Sequence, residues 1–290
     1  MQLDIFEHSR DVMIRGDVIG ALERGEPVEA RAGWQVLHAE FPADDCLPAL
    51  DLLVSTLERQ SSAPFASHAA ARLARLDFQQ RVEPAALRML GQGPGARWLA
   101  LRWQALALRA TRLAFDAEQS DEHAAPLWLR AGDWAAATAA VAGIDAWRRI
   151  PAPLSWMAEA RAHTHGLDAA WPLLAELAWL SPARLEALSK ALRDPLLEAL
   201  LGKFNAEYEG DGAVADLAWF AAWVLIEKPA LAPRLNEATP SLGSAPEQAM
   251  RLMVALLRLE RQGRHHELVL RRKALRSLSP ALFGAYMKTR

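Results

Sequence analysis

The stretch Gly132–Pro182, GDWAAATAAVAGIDAWRRIPAPLSWMAEARAHTHGLDAAWPLLAELAWLSP, is rich in alanine and leucine and is interrupted by glycine and proline. Alanine and leucine favour helices, whereas glycine is common just after a helix and proline at the first position of the next. Between the interruptions, each segment is long enough for about two to four helical turns. We therefore predict short helices joined by turns, with the chain reversing its direction at each glycine or proline interruption.

The whole chain shares this composition. Its 290 residues include 58 alanines and 46 leucines, whereas valine, isoleucine and threonine together number 23. Strands depend on β-branched residues, so this balance excludes sandwiches, barrels and parallel α/β sheets. A hydrophobic fraction of 52% and a charged fraction of 23% are those of a packed globular chain and exclude wholesale disorder. The predicted fold class is all-α.

Four turns are followed by similar residues at the same distances. The turns lie at Gly25, Gly132, His165 and Gly263. Apolar residues follow five and twelve positions later: Ala30 and Leu37, Ala137 and Ile144, Ala170 and Leu177, Leu268 and Leu275. A proline follows at or after the seventeenth position: Pro42, Pro151, Pro182 and Pro280. A small residue at the turn, and another early in the second helix, allow two paired helices to approach closely.

This spacing resembles the tetratricopeptide repeat, a helical hairpin with a period of 34 residues. The separation of Gly132 and Gly166 is also 34 residues. The resemblance covers about half of the chain and is weaker at Leu268, where a small residue is expected. It implies a solenoid or superhelix of antiparallel helical hairpins, which we predict as one helical-repeat domain over 1–290, with 1–90 and 95–290 as candidate sub-units. An irregular helical bundle with glycine turns is the alternative.

Several helix starts are predicted from local signals. Ser181-Pro182, Asp194-Pro195 and Ser279-Pro280 each place a capping side chain before a proline at the first helical position. Ser244-Ala245-Pro246-Glu247 has the spacing of a capping box, in which the serine and the glutamate each accept a backbone hydrogen bond.

The N-terminal residues Gln2, Leu3, Asp4, Ile5 and Phe6 resemble the short peptide by which bacterial replication and repair proteins bind the sliding clamp. The resemblance implies that Gln2 donates or accepts hydrogen bonds at the rim of a pocket, while Leu3, Ile5 and Phe6 fill it. Ile5 departs conservatively from the leucine of that peptide. The alternative is that the three apolar residues pack on the first helical hairpin of this chain.

The C-terminal region carries an excess of positive charge. Residues 251–290 contain ten lysines and arginines against only Glu260 and Glu267, although the net charge of the whole chain is −2. The predicted basic patch consists of Arg264, Arg271, Arg272, Lys273 and Arg276. It is a candidate surface for an acidic protein partner or for a weak contact with DNA phosphates. The alternative is a solubilising cap on the last repeat.

A second basic pair lies in the predicted helix around 96–115. Arg102 and Arg109 are seven residues apart and therefore share a helix face, beside Trp98 and Trp103. Two interpretations stay open for this pair: a grip for an acidic peptide or a nucleic acid, or a solvated face with salt bridges to neighbouring residues.

No catalytic motif is present. His265-His266-Glu267 begins like a zinc-protease helix, but Leu270 stands where the second histidine of that motif is required. We predict no metal site and no cofactor. The longest apolar run, Leu217–Ile226, is too short for a bilayer span, so no membrane contact is expected. The lone cysteine, Cys46, cannot form an internal disulfide, and a reducing cytoplasm is the default expectation.

These observations favour a non-enzymatic helical-repeat adaptor that binds a protein partner. The alternative function is a DNA replication or repair accessory protein, tethered to the sliding clamp by residues 2–6 and touching DNA through its basic C-terminal face. An enzyme whose site is assembled from scattered helical residues is a third hypothesis.

Overall fold

A computed structural model of the chain describes residues 3–241 and 243–290; the side chains of residues 3–9 lie outside the description. The described residues form helices joined by short turns, and no strand occurs among them. The all-α prediction is confirmed. Contacts divide the chain into two compact units, unit 1 (Met1–Asp133) and unit 2 (Trp134–Arg290).

Unit 1 consists of helices that pack on their neighbours along the chain. They are α1 (Leu3–Arg24), α2 (Pro27–Glu40), α3 (Leu47–Glu58), α4 (His68–Asp77), α5 (Glu83–Leu90), α6 (Gln92–Ala110) and α7 (Ala124–Ala131). A five-residue π-helix, Phe78–Val82, connects α4 directly to α5. A 3₁₀ turn, Ser120–Glu122, precedes α7.

The first hairpin of unit 1 shows how small residues bring two helices together. Gly25 ends α1 with a φ of 75°, a left-handed conformation that favours glycine. Along the hairpin, a Cβ atom at Gly33 would lie 2.9 Å from a methyl carbon of Val18, so a larger residue would push α1 and α2 apart. Leu22, Leu37, Leu50, Leu53 and Trp103 are fully buried in the core of this unit.

Unit 2 also packs successive helices on one another. They are α8 (Trp134–Ala142), α9 (Pro151–His165), α10 (Leu167–Leu180), α11 (Pro182–Leu192), α12 (Pro195–Glu207), α13 (Phe220–Glu227), α14 (Ala232–Leu235), α15 (Ala245–Gln262), α16 (His265–Leu278) and α17 (Pro280–Lys288). Short 3₁₀ turns lie at Trp147–Arg149, Val214–Trp219 and Pro229–Leu231. The largest buried side chains of this unit are aromatic: Trp171, Phe204, Phe220, Trp223 and Tyr286.

Two buried glutamates hold the segment between α14 and α15. Glu176 on α10 accepts two hydrogen bonds from Arg148, at 2.6 and 2.7 Å, and one from the backbone N–H of Thr239, at 2.6 Å. Glu247 on α15 accepts from the backbone N–H groups of Ser241 and Gly243, at 3.1 and 2.9 Å. These hydrogen bonds stabilise the buried carboxylates, which would otherwise be costly to remove from water.

The predicted helix starts at proline are confirmed, because α11, α12 and α17 begin at Pro182, Pro195 and Pro280. The side chains of Asp194 and Ser279 cap their helices as predicted, whereas the prediction for Ser181 is wrong because its side chain forms no capping hydrogen bond. The capping-box prediction is wrong. The hydroxyl of Ser244 forms no hydrogen bond with any described residue, and Glu247 accepts from Gly243 and Ser241 instead of from Ser244. The Glu247 carboxylate therefore accepts from residues that precede the cap, whereas in a capping box it would accept from the backbone N–H of Ser244 itself.

The solenoid arrangement, the tetratricopeptide resemblance and the prediction of one domain over 1–290 stay predictions. In the part of the chain that the structure describes, no helix has both the length and the apolar character needed to cross a membrane.

Candidate functional site

The predicted basic patch lies on α16, and the structure separates its members. Arg272 is directed toward neighbouring helices: its Nε donates to the hydroxyl of Tyr286 on α17, at 3.1 Å, and an Nη lies 3.3 Å from a carboxylate oxygen of Glu260 on α15. Arg290 also donates to Glu260, at 2.9 Å. Arg272, which we predict as part of the basic patch, is therefore only partly exposed and contacts α15 and α17.

Glu260 lies at the centre of this network, and its hydrogen bonds keep the carboxyl group ionised. Burial acts to raise the pKa of the Glu260 carboxyl, but donation from Arg290 and Tyr286 outweighs burial and holds that pKa below its ordinary value. Burial and the bond to Glu260 raise the pKa of Tyr286. Glu260 is thus a carboxylate at neutral pH, and Arg272 serves to pack α16 against α15 and α17.

The remaining basic residues of α16 are exposed. Arg264 forms an ion pair with Glu267, one turn along the helix. Arg271, Lys273 and Arg276 form no ion pair with any described residue. Val269 and Leu270, which are 63% and 57% exposed, lie on the same helix. We call these five outward residues the α16 surface: Val269, Leu270, Arg271, Lys273 and Arg276.

The α16 surface combines apolar and basic side chains. Val269, Lys273 and Arg276 are spaced four and then three residues apart, so they form one stripe along the helix. A cation flanking an exposed apolar side chain suits a ligand with negative charges beside apolar groups.

The predicted clamp-binding peptide falls largely outside the described residues. Gln2 and the side chains of Leu3, Asp4, Ile5 and Phe6 are outside the description, whereas the backbone of α1 begins at Leu3. The peptide stays a prediction.

A second candidate site lies in unit 1, in a cavity of about 420 Å³. Its walls are α3, the segment after α3, the end of α4, the π-helix and α6. We call it the arginine pocket after the four arginines that line it, Arg59, Arg81, Arg102 and Arg109. A π-helix is rare and is often found at functional sites, and here it contributes Phe78, Arg81 and Val82 to the wall.

Arg109 is held by the segment that precedes α4. Its Nε donates to the carbonyl of Ala63, at 3.0 Å, and its guanidinium lies 4.0 Å from the centre of the Phe65 ring. The backbone N–H of Phe65 donates in turn to the carbonyl of Arg109, at 3.0 Å. These contacts fix one wall of the arginine pocket.

Arg102 is buried without a counter-charge. Only 8% of its surface is exposed, and its guanidinium lies 4.7 Å from the centre of the Trp98 ring, one turn earlier on α6. Its Nε has no hydrogen-bond partner, and within the described ranges it forms no ion pair. Because burial is not offset by a partner, the pKa of Arg102 falls below its ordinary value. The interpretation of Arg102 as part of a solvated face with salt bridges is wrong.

Groupings that could hold a metal ion do not occur among the described histidine, cysteine, aspartate and glutamate residues. His163 stacks on Trp134, with ring centres 4.0 Å apart, and His165 contacts the hydroxyl of Thr164 at 2.7 Å.

Two of the four arginines of the arginine pocket are candidate binding residues from the sequence, and the other two are not. The seven-residue spacing of Arg102 and Arg109 indicates their common helix face. Arg59 and Arg81 reach the same cavity from the segment after α3 and from the π-helix, and no local pattern predicts that long-range approach. Comparison with protein-family models, with curated proteins and with solved structures finds no match to this chain.

Proposed function

We propose that this chain is a non-enzymatic helical-repeat adaptor that binds an acidic segment of a protein partner on the α16 surface. The observation that carries the proposal is the exposure of Val269 and Leu270 beside cations that form no ion pair with any described residue. The proposal includes the solenoid of helical hairpins, in which α16 belongs to the last hairpins of the chain.

Charge complementarity decides the chemistry of the partner. Arg271, Lys273 and Arg276 attract carboxylates, while Val269 and Leu270 gain by leaving water when an apolar side chain covers them. DNA phosphates would satisfy the cations and leave both apolar side chains without a contact. An acidic protein segment with interspersed large apolar residues suits both halves of the surface.

The test is selection from a random peptide display library on the immobilised full-length chain. We expect the enriched peptides to carry several aspartates or glutamates and at least two large apolar residues. The double variant Lys273→Glu with Arg276→Glu should weaken an enriched peptide by about tenfold or more. A matched control, Lys228→Glu with Arg258→Glu, makes the same charge change at exposed positions of unit 2 outside α16.

Two results contradict the proposal. One is enrichment of peptides without acidic residues, or of peptides that bind both double variants equally. The other is the binding of duplex DNA through Lys273 and Arg276 with no acidic peptide enriched, because the surface would then be a DNA interface.

The second candidate function rests on the sequence Gln2-Leu3-Asp4-Ile5-Phe6: an accessory protein tethered to a sliding clamp. If residues 2–6 act as a tether, replacing Leu3 and Phe6 by alanine should remove binding to a purified bacterial clamp and leave the melting temperature of this protein unchanged. If those side chains pack on the first hairpin instead, the same change should cost several kcal/mol and produce no clamp signal in either protein.

A further inference from the structure

The arginine pocket contains a buried positive charge, that of Arg102, which no described carboxylate neutralises. Removing a guanidinium from water is costly unless an anion or acceptor replaces the lost hydration. The nearest compensation for Arg102 is the face of Trp98. The indole Nε1 of Trp98 is itself buried without an acceptor. Two neighbouring donors on α6 therefore lack hydrogen-bond acceptors.

The rest of the lining also carries positive charge in excess. Four arginines face two aspartates, Asp51 and Asp77. Asp51 is already paired with Arg31, which lies outside the lining, at 2.6 Å, and Asp77 is paired with Arg81, at 2.8 Å. Both carboxylates are therefore occupied, and neither contacts Arg102. Ser55, Thr56 and Ser61 add hydroxyl groups to the wall.

We propose that the arginine pocket binds the phosphate group of a small organic phosphate, with the guanidinium of Arg102 as its central contact. A guanidinium offers paired N–H donors that match two phosphate oxygens. A cavity of about 420 Å³ has the size of small-molecule sites. The proposal is independent of the partner proposed for the α16 surface, because the arginine pocket lies wholly in unit 1.

Phosphate fits the pocket better than a carboxylate does. The lining has a formal excess of two positive charges, and a phosphate monoester carries close to two negative charges at neutral pH. A single carboxylate would neutralise only half of this excess. Because Arg102 exposes so little of its surface, only a small group can reach it, which favours a small molecule over a nucleic-acid backbone.

The experiment measures inorganic phosphate binding to the full-length chain by calorimetry at constant pH and ionic strength. We expect saturable binding with a dissociation constant below about 10 mM, weakened about tenfold or more by Arg102→Met. The matched control is Arg130→Met, because Arg130 also lies over a tryptophan of unit 1, 5.0 Å from the centre of the Trp103 ring, and does not line the pocket. That variant should bind like the wild type.

A second variant keeps the test independent of the folding of Arg102→Met. Arg59 lines the pocket and is exposed, so Arg59→Met should fold normally and weaken phosphate binding by a few-fold. Three results would overturn the proposal: no saturable binding by the wild type, equal weakening by Arg130→Met and the two pocket variants, or acetate that binds as tightly as phosphate under the same conditions.

Discussion

At the residue scale, His123 is the side chain with the clearest dependence on pH. It is 8% exposed, and its Nδ1 accepts a hydrogen bond from the backbone N–H of Ala125, at 3.2 Å, as the N-cap of α7. Burial, and to a smaller extent the charge of His68, lower the pKa of His123 from 6.5 to about 4. The folded protein therefore holds this imidazole neutral.

The lowered pKa fixes the direction of the pH effect. As the pH falls below 6.5, the unfolded chain takes up a proton at His123 before the folded chain does, so stability decreases until the pH reaches about 4. Between pH 7 and pH 5 we expect a loss of about 2 kcal/mol in unfolding free energy. Urea unfolding of the wild type and of His123→Asn measures this loss of unfolding free energy. The variant is suitable because asparagine can cap α7 without titrating. A loss of equal size in both proteins would contradict the assignment.

The burial of Arg102 also affects the stability of the folded protein. Replacing a buried charge that lacks a counter-ion by an apolar side chain of similar length removes a desolvation cost and a contact with Trp98. We expect Arg102→Met to leave the unfolding free energy unchanged or to raise it by up to about 2 kcal/mol. Chemical denaturation in phosphate-free buffer measures this difference. A loss of several kcal/mol would mean that Arg102 has a partner inside the fold.

At the element scale, α16 divides its cations into one that packs the helix and three that do not. Arg272→Glu places a carboxylate against Glu260 and removes the bond to Tyr286, so we expect it to cost about 1–3 kcal/mol or more. Arg276→Glu changes an exposed residue and should stay within about 0.5 kcal/mol of the wild type. Thermal unfolding of the two single variants measures the difference in stability. Equal melting temperatures would contradict the assignment of Arg272 to packing and of Arg276 to the exposed surface.

The repeat spacing makes a prediction about packing between helices. Ala30, Ala137 and Ala170 are each fully buried. Replacing any of them by leucine should overpack the helix contact and cost about 1–3 kcal/mol. Ala32→Leu is the matched control, because Ala32 is an exposed alanine of α2. If all three buried variants have the same melting temperature as the control, the alignment of the repeats is wrong.

At the scale of the whole molecule, local chemistry predicts the helices well. Alanine and leucine content predicts the all-α class, and proline after a capping residue predicts the starts of α11, α12 and α17. Every residue at the five- and twelve-position offsets is buried, from Ala30 and Leu37 to Leu268 and Leu275. The repeat interpretation itself is not tested by that burial, since any packed helical hairpin buries such positions.

The candidate sites were only partly predictable, because they depend on contacts between distant segments. The direction of Arg272 follows from Glu260 and Tyr286, which are 12 and 14 residues away on other helices. Arg102 has no ion pair among the described residues because the two aspartates of its pocket pair with Arg31 and Arg81. Helix periodicity places a side chain on a face and leaves open which residues of other helices meet that face.

The contacts of Glu176 have a consequence for the rate of unfolding. This carboxylate joins Arg148 and Thr239, which are 28 and 63 residues away in sequence. Closing so long a loop costs chain entropy, so we expect these bonds to form after the folding transition state. Glu176→Gln should then accelerate unfolding and leave refolding nearly unchanged in stopped-flow tryptophan fluorescence, whereas slower refolding would place the bonds in the folding nucleus. The lifetime of unit 2 against proteases that capture the opened chain would accordingly be shortened by the loss of this one buried carboxylate.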